Sequence, residues 1–163
     1  NKISLFGHSR GGGIAMLKTA EDKSISKVIS WASPANFLKT LPKGEKLEKW
    51  RSNNVAYIFN GRTKQNMPLY FQFYENCKAN SKRLNIKNAV SKMYIPHLVV
   101  HGSEDPTVLL NEAENIKKWN PNTNLHIIKG ANHVLGGFHP YSLDKFPEHL
   151  QEAIDNTITF LKE

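Results

Sequence analysis

Ser9 stands in Gly7-His8-Ser9-Arg10-Gly11, a G-x-S-x-G stretch set between an apolar run over 3–6 and an apolar-periodic segment over 12–20. A serine hydroxyl is a poor nucleophile until a base takes its proton and an acid orients that base. A sharp strand-to-helix turn suits such a serine. The strained backbone exposes the hydroxyl at the edge of the sheet, and the free N–H groups of the helix start point toward it. The spacing predicts that Gly7 and Gly11 remove side chains that would collide across the turn. It also predicts that the Arg10 N–H donates to the oxyanion formed on a carbonyl attacked by Ser9. A glycine-rich turn can instead cradle phosphate, but the G-x-G-x-x-G spacing and the G-K-[ST] ending are both missing.

A base and an acid are available further along. Asp105 lies in His101-Gly102-Ser103-Glu104-Asp105-Pro106 and His133 in Lys129-Gly130-Ala131-Asn132-His133. Each follows an apolar run that reads as a strand, and open α/β sheets gather their ligands at the C-terminal strand ends. The chain order Ser, Asp, His is the one that accompanies a G-x-S-x-G elbow. Ser9 is therefore the candidate nucleophile, His133 the base and Asp105 the acid. His133 must be chosen from seven histidines. His126 falls inside a strand, His97 and His101 bracket another and are expected to project from its two ends, and His149 is on the terminal helix. His139 is the serious rival; the Gly-x-x-His run directly after the strand favours His133. Glu104 competes with Asp105, and the shorter side chain in the turn before Pro106 is preferred. His8 is expected to point away from the nucleophile and to pack or hydrogen-bond. Arg10 places a cation where the helix dipole disfavours one. Either a nearby carboxylate or an acidic group on the substrate is expected to offset it.

The elements that must position these residues alternate. Strands are expected over 3–6, 28–31, 97–101 and 125–128. Helices are expected over 12–20 and 109–119, and from Pro147 onward, where Leu150, Ile154, Ile158 and Leu161 form one apolar stripe. Apolar strands separated by helices imply a parallel sheet with helices on both faces, an α/β fold in a single domain over 1–163. Residues 36–95 interrupt that rhythm with a helix over 46–51, a hairpin of 55–59 with 66–71, and a helix over 85–93. The Asn60-Gly61 dipeptide between the hairpin strands suits positive φ. The insertion is longer than a connection needs. It carries Tyr57, Phe59, Tyr70, Phe71, Phe73 and Tyr74. It is expected to build a small core of its own and to act as a cap walling a substrate pocket.

The 163 residues carry a net charge of +8. That charge is concentrated in 36–95, with twelve basic residues against three acidic. Only Arg10, Arg51, Arg62 and Arg83 are arginines among the twenty-two basic residues, and no nucleic-acid motif is present, which argues for a small-molecule substrate rather than a nucleic acid. No apolar run reaches the roughly 20 residues of a membrane span, and Asn1-Lys2-Ile3 does not read as a signal peptide. The lone Cys77 allows no intrachain disulfide, and a cytoplasmic location is expected. No H-E-x-x-H run or Cys/His cluster occurs, so neither a metal nor a cofactor is expected.

Taken together, GHSRGG, HGSEDPTV and GANHVLGG resemble the C-terminal catalytic part of an α/β-hydrolase. Within that superfamily they look like the dienelactone-hydrolase-like and prolyl-oligopeptidase-like serine esterases and peptidases. The resemblance covers essentially the whole chain and is loosest over 36–95. It implies Ser9, Asp105 and His133 as a catalytic triad and the Arg10 N–H as one oxyanion donor. It further implies that four strands, and the loop giving the second oxyanion N–H, would precede the strand at 3–6. That strand's open edge is then expected to be covered by such a half or by a second copy of the chain. The expected function is hydrolysis of a carboxylic ester or related acyl compound through an acyl-enzyme. Peptide hydrolysis, or a non-catalytic binding module, is the alternative.

Overall fold

In the computed structural model, residues 2–61 and 63–163 are described; Asn1, and Arg62 of the four arginines, lie outside the described residues. Along the chain run β1 (Ile3–His8), α1 (Arg10–Glu21), β2 (Ile25–Trp31), a 3-10 turn (Phe37–Thr40), α2 (Glu45–Asn53), β3 (Val55–Asn60) and β4 (Gln65–Tyr70). They are followed by α3 (Gln72–Ala79), α4 (Ile86–Ser91), β5 (His97–Gly102), α5 (Leu110–Trp119), β6 (Asn124–Ile128) and α6 (Glu148–Lys162). Among the described residues no helix is long and apolar enough to cross a membrane.

Four strands pair in the order β1-β2-β5-β6, all parallel. β5, at the centre, is buried along its whole length, because helices cover both faces. On one face Met16 and Leu17 of α1, Val90 of α4 and Ile116 of α5 pack on Val28 and Val99. On the other, Ala153 and Phe160 of α6 pack on Ile29, Trp31, Leu98 and Val100. β1 is an edge of this sheet, with Ile3 and Phe6 exposed.

The insertion holds a second, smaller core of Leu41, Trp50 and Phe71. The Trp50 indole N–H donates to the Leu69 carbonyl at 2.8 Å, tying α2 to the β3–β4 hairpin. One sequence expectation fails here, and one helix, α3, was not anticipated. Gly61 is not in the left-handed region; Lys64 is, at φ 59°. α3 has no side-chain cap and offers only a short stripe, Phe73 and Cys77, which periodicity does not separate from a loop. Glu112 of α5, buried, fastens the base of the insertion. It accepts from the Ala35 N–H at 3.0 Å and pairs with Lys39 at 2.8 Å.

His97 and His101 do not project from the two ends of their strand. Both lie inside β5 and are fully buried. His97 spans two hydroxyls, with Nε2 3.1 Å from Ser30 Oγ and Nδ1 3.3 Å from Thr123 Oγ1. One ring nitrogen donates to a hydroxyl oxygen and the other accepts a hydroxyl proton, which satisfies a neutral imidazole. All three residues are sealed from solvent, so no substrate reaches this serine–histidine pair.

Burial holds the His97 pKa down from 6.5 to about 4. The unfolded chain therefore takes up a proton in that window while the folded chain does not. The stabilisation is complete above the ordinary value and is lost as pH falls through the window. Urea unfolding followed from neutral pH down to about 4 should lose about 3 kcal/mol more in the native protein than in His97→Gln.

Candidate active site

β1 ends at His8 and α1 begins at Arg10, so Ser9 alone makes the turn. Its backbone sits at φ 54°, ψ −127°, a conformation that is strained for any residue with a β-carbon. Two hydrogen bonds hold it. The Ser9 N–H donates to the Trp31 carbonyl at 2.7 Å, and the Ser9 carbonyl accepts from the Gly12 N–H at 3.0 Å. The necessary closeness comes from Gly7 and Gly12. A β-carbon on Gly7 would lie 2.3 Å from the Gly11 carbonyl oxygen, and one on Gly12 would lie 2.8 Å from Ser33 Cβ. Gly11, expected to share that role, has nothing within 4 Å of where its β-carbon would be. The turn brings Gly7 against the main chain of 11–12; it does not set two side chains facing each other.

The loops after β5 and β6 lock onto one another. A β-carbon on Gly102 would sit 2.2 Å from the Ala131 carbonyl oxygen, so the two main chains touch. The Glu104 N–H donates to the Ala131 carbonyl at 3.0 Å, and the Gly130 N–H donates to Ser103 Oγ at 2.8 Å. This contact brings Asp105 and His133 together. His133 Nδ1 lies 2.7 Å from Asp105 Oδ2, and His133 Nε2 lies 3.0 Å from Ser9 Oγ. Because a carboxylate only accepts, Nδ1 carries the proton and Nε2 faces the hydroxyl as acceptor. The other carboxylate oxygen, Oδ1, accepts from the Thr107 and Val108 N–H groups at 2.8 and 2.9 Å. Burial pushes the Asp105 pKa up, but the hydrogen bonds from His133, Val108 and Thr107 outweigh it and hold the carboxyl below its ordinary value.

The sequence-selected residues fall into place unevenly. Ser9, His133 and Asp105 form one chain of hydrogen bonds, with His133 rather than His139 at the serine. Glu104 is committed through its backbone to the neighbouring loop. Nothing among the described residues accepts from the Arg10 N–H. Its guanidinium has no carboxylate partner among the described residues. It lies 4.5 Å from the centroid of the Phe73 ring on α3, so an aromatic face stands where a carboxylate was expected. His8 does not point away. Its Nε2 donates to the His133 carbonyl at 2.8 Å, and the two rings lie 5.0 Å apart. Nothing local in the sequence signals that contact, which spans 125 residues. Among the described residues no group of three or more His, Cys, Asp or Glu could hold a metal ion.

No protein-family model matches the chain, and no curated protein matches it in sequence. Solved structures do match it. Est1E from Butyrivibrio proteoclasticus superposes with a TM-score of 0.65 at 20% identity, over 100% of this chain and 63% of that one. The monoacylglycerol lipase of Paleococcus ferrophilus gives 0.69 at 14% identity, over 98% of this chain and 69% of that one. An α/β hydrolase from the metagenome of lagoon sediments of Mar Chica, Morocco, gives 0.62 at 18% identity, over 99% and 63%. This chain has the α/β-hydrolase fold. It spans a little under two thirds of the length of Est1E and of the metagenomic enzyme.

The two glycines that flank Ser9 in the motif can be told apart by experiment. Gly7→Ala forces main chain against main chain and should lower stability by about 1–3 kcal/mol, the usual cost of overpacking. Gly11→Ala adds a methyl group to open space on a helix and should raise stability by roughly 0.5–1 kcal/mol. Chemical denaturation of the two variants checks both signs.

Proposed function

We propose that this chain carries the catalytic site of a serine hydrolase that cleaves a carboxylic ester or related acyl bond through an acyl-enzyme. The observation that carries the reading is the unbroken chain from Ser9 Oγ through the His133 ring to Asp105 Oδ2, at 3.0 and 2.7 Å. Ser9 Oγ attacks the substrate carbonyl carbon as His133 Nε2 takes its proton. Asp105 fixes the ring tautomer and offsets the charge of the imidazolium. The Arg10 N–H donates to the oxyanion of the tetrahedral intermediate. His133 then returns the proton to the leaving alcohol, and the C–O bond to that alcohol breaks. A water molecule activated by His133 attacks the acyl-enzyme, releases the acid and restores Ser9.

Within the superfamily we assign the chain to the dienelactone-hydrolase-like and prolyl-oligopeptidase-like serine hydrolases, on the strength of HGSEDPTV and GANHVLGG around Asp105 and His133. Residues 36–95 serve as a cap over the site, in contact with the elbow through Phe73 and Arg10. The single, buried Cys77 suits a reducing compartment such as the cytoplasm.

A fluorophosphonate probe should label the protein at Ser9, and Ser9→Ala should abolish both labelling and ester hydrolysis. His133→Ala should be nearly as damaging alone, because triad members act as a unit. Full activity in Ser9→Ala would overturn the covalent mechanism. Faster turnover of aminoacyl amides than of p-nitrophenyl esters would move the assignment to a peptidase. Labelling absent from the native protein would favour a binding module.

The edge of β1 presents unpaired backbone groups beside the exposed Ile3 and Phe6, and such an edge invites another strand. The chain by itself should therefore associate with a second copy along β1. Light scattering on the purified chain checks this, and a stable monomer would overturn it.

A further inference from the structure

We propose that His101 is a positioning residue for Asp105: it pins the Val108 main chain and thereby holds the carboxylate turned toward His133. The proposal rests on the assignment of Ser9, His133 and Asp105 above and extends it to a residue that touches none of the reacting atoms.

Asp105 lies in the irregular segment 103–109 between β5 and α5. No ladder of regular structure shapes that segment, so its geometry comes from individual contacts. His101 is on β5, the most deeply buried strand, and is itself fully buried. Its Nε2 lies 2.8 Å from the Val108 carbonyl oxygen. A carbonyl only accepts, so Nε2 carries the ring proton and donates it there. The N–H of the same Val108 donates to Asp105 Oδ1 at 2.9 Å, beside the Thr107 N–H at 2.8 Å. Val108 is thus held at both of its polar atoms, by the ring on one side and the carboxylate on the other.

The consequence falls on the second oxygen. With Oδ1 occupied by two backbone donors, Oδ2 is left to accept from His133 Nδ1 at 2.7 Å. His101 Nε2 is 3.6 Å from the same Oδ2, too long for a hydrogen bond, so the ring acts on the carboxylate through Val108. The other ring nitrogen supports a directed role. His101 Nδ1 is buried with no hydrogen-bond partner among the described residues. A polar atom stripped of water without a return is a cost that a leucine of similar size would avoid. What the imidazole provides at this point is the Nε2–H.

Three substitutions separate this role from packing. His101→Leu fills the space and removes the donor. His101→Asn carries an amide that reaches the position of Nδ1 and falls short of Val108. His101→Gln extends an amide N–H to about the position of Nε2. Two readouts apply: the downfield proton resonance of His133 Nδ1–H, which needs no turnover, and kcat and KM for an ester. With Leu or Asn, the resonance should vanish or broaden and kcat should fall by about 10²-fold, the scale of a misplaced catalytic group, with KM little changed. Gln should keep the resonance and most of kcat. Thermal unfolding identifies any variant that fails to fold, and Asn against Gln decides the question if Leu does. Equal behaviour of Asn and Gln, or an intact resonance and kcat in Leu, would overturn the role of His101. A native protein that shows neither the resonance nor fluorophosphonate labelling would overturn the triad assignment itself.

Discussion

The turn at Ser9 is the constraint from which the rest of the site is built. One residue carries the chain from the end of β1 into α1, at a positive φ, and it is held there by a backbone hydrogen bond to Trp31 on the neighbouring strand. That bond exists only because β1 and β2 run parallel in register, with His8 opposite Trp31. The strain at Ser9 is thus sustained by sheet pairing, and the close approach of Gly7 to the main chain of 11–12 leaves no room for the turn to relax. A loosened sheet edge would disturb the serine before it disturbed any other part of the site.

The second half of the site is assembled by a contact between two loops. Asp105 and His133 are 28 residues apart and follow different strands, yet the main chains at Gly102 and Ala131 touch. Parallel pairing of β5 with β6 brings both loops to one edge of the sheet, and the missing side chain at Gly102 lets them interlock. His133 is then steadied from a third direction, since His8, the residue before Ser9, donates to the His133 carbonyl. Ser9, His133 and Asp105 share main-chain supports, so their relative positions depend little on long flexible side chains.

The central strand also shows how one residue type serves two purposes. His97 and His101 are both buried in β5, four positions apart. His97 bridges two hydroxyls that adapt to its needs, and its ring is fully satisfied. His101 meets a carbonyl on one side and, among the described residues, no hydrogen-bond partner on the other, so its ring is satisfied only in the direction of the Asp105 segment. The partners, not the burial, distinguish a structural histidine from one tied to the site.

The amino-acid sequence by itself determined what is local. G-x-S-x-G between an apolar run and a helical stripe pointed to an elbow, because the glycines and the strand-to-helix change lie within a few residues of Ser9. The order Ser9, Asp105, His133 and the apolar character of the strands followed in the same way, as did the α/β class. Tertiary structure decided what is long-range. Which of seven histidines meets Ser9 depends on a contact across 124 residues, and the roles of His8 and His101 depend on carbonyls presented by loops that no periodicity describes. The errors divide along the same line. Gly11 was expected to clear the turn, Arg10 to find a carboxylate on the protein or an acidic group on the substrate, and Gly61 to take positive φ. In the fold Gly12 meets Ser33, Arg10 meets Phe73 and Lys64 takes the left-handed turn. Residue type limits what a position can do, but the partner that packing brings to it decides what it does.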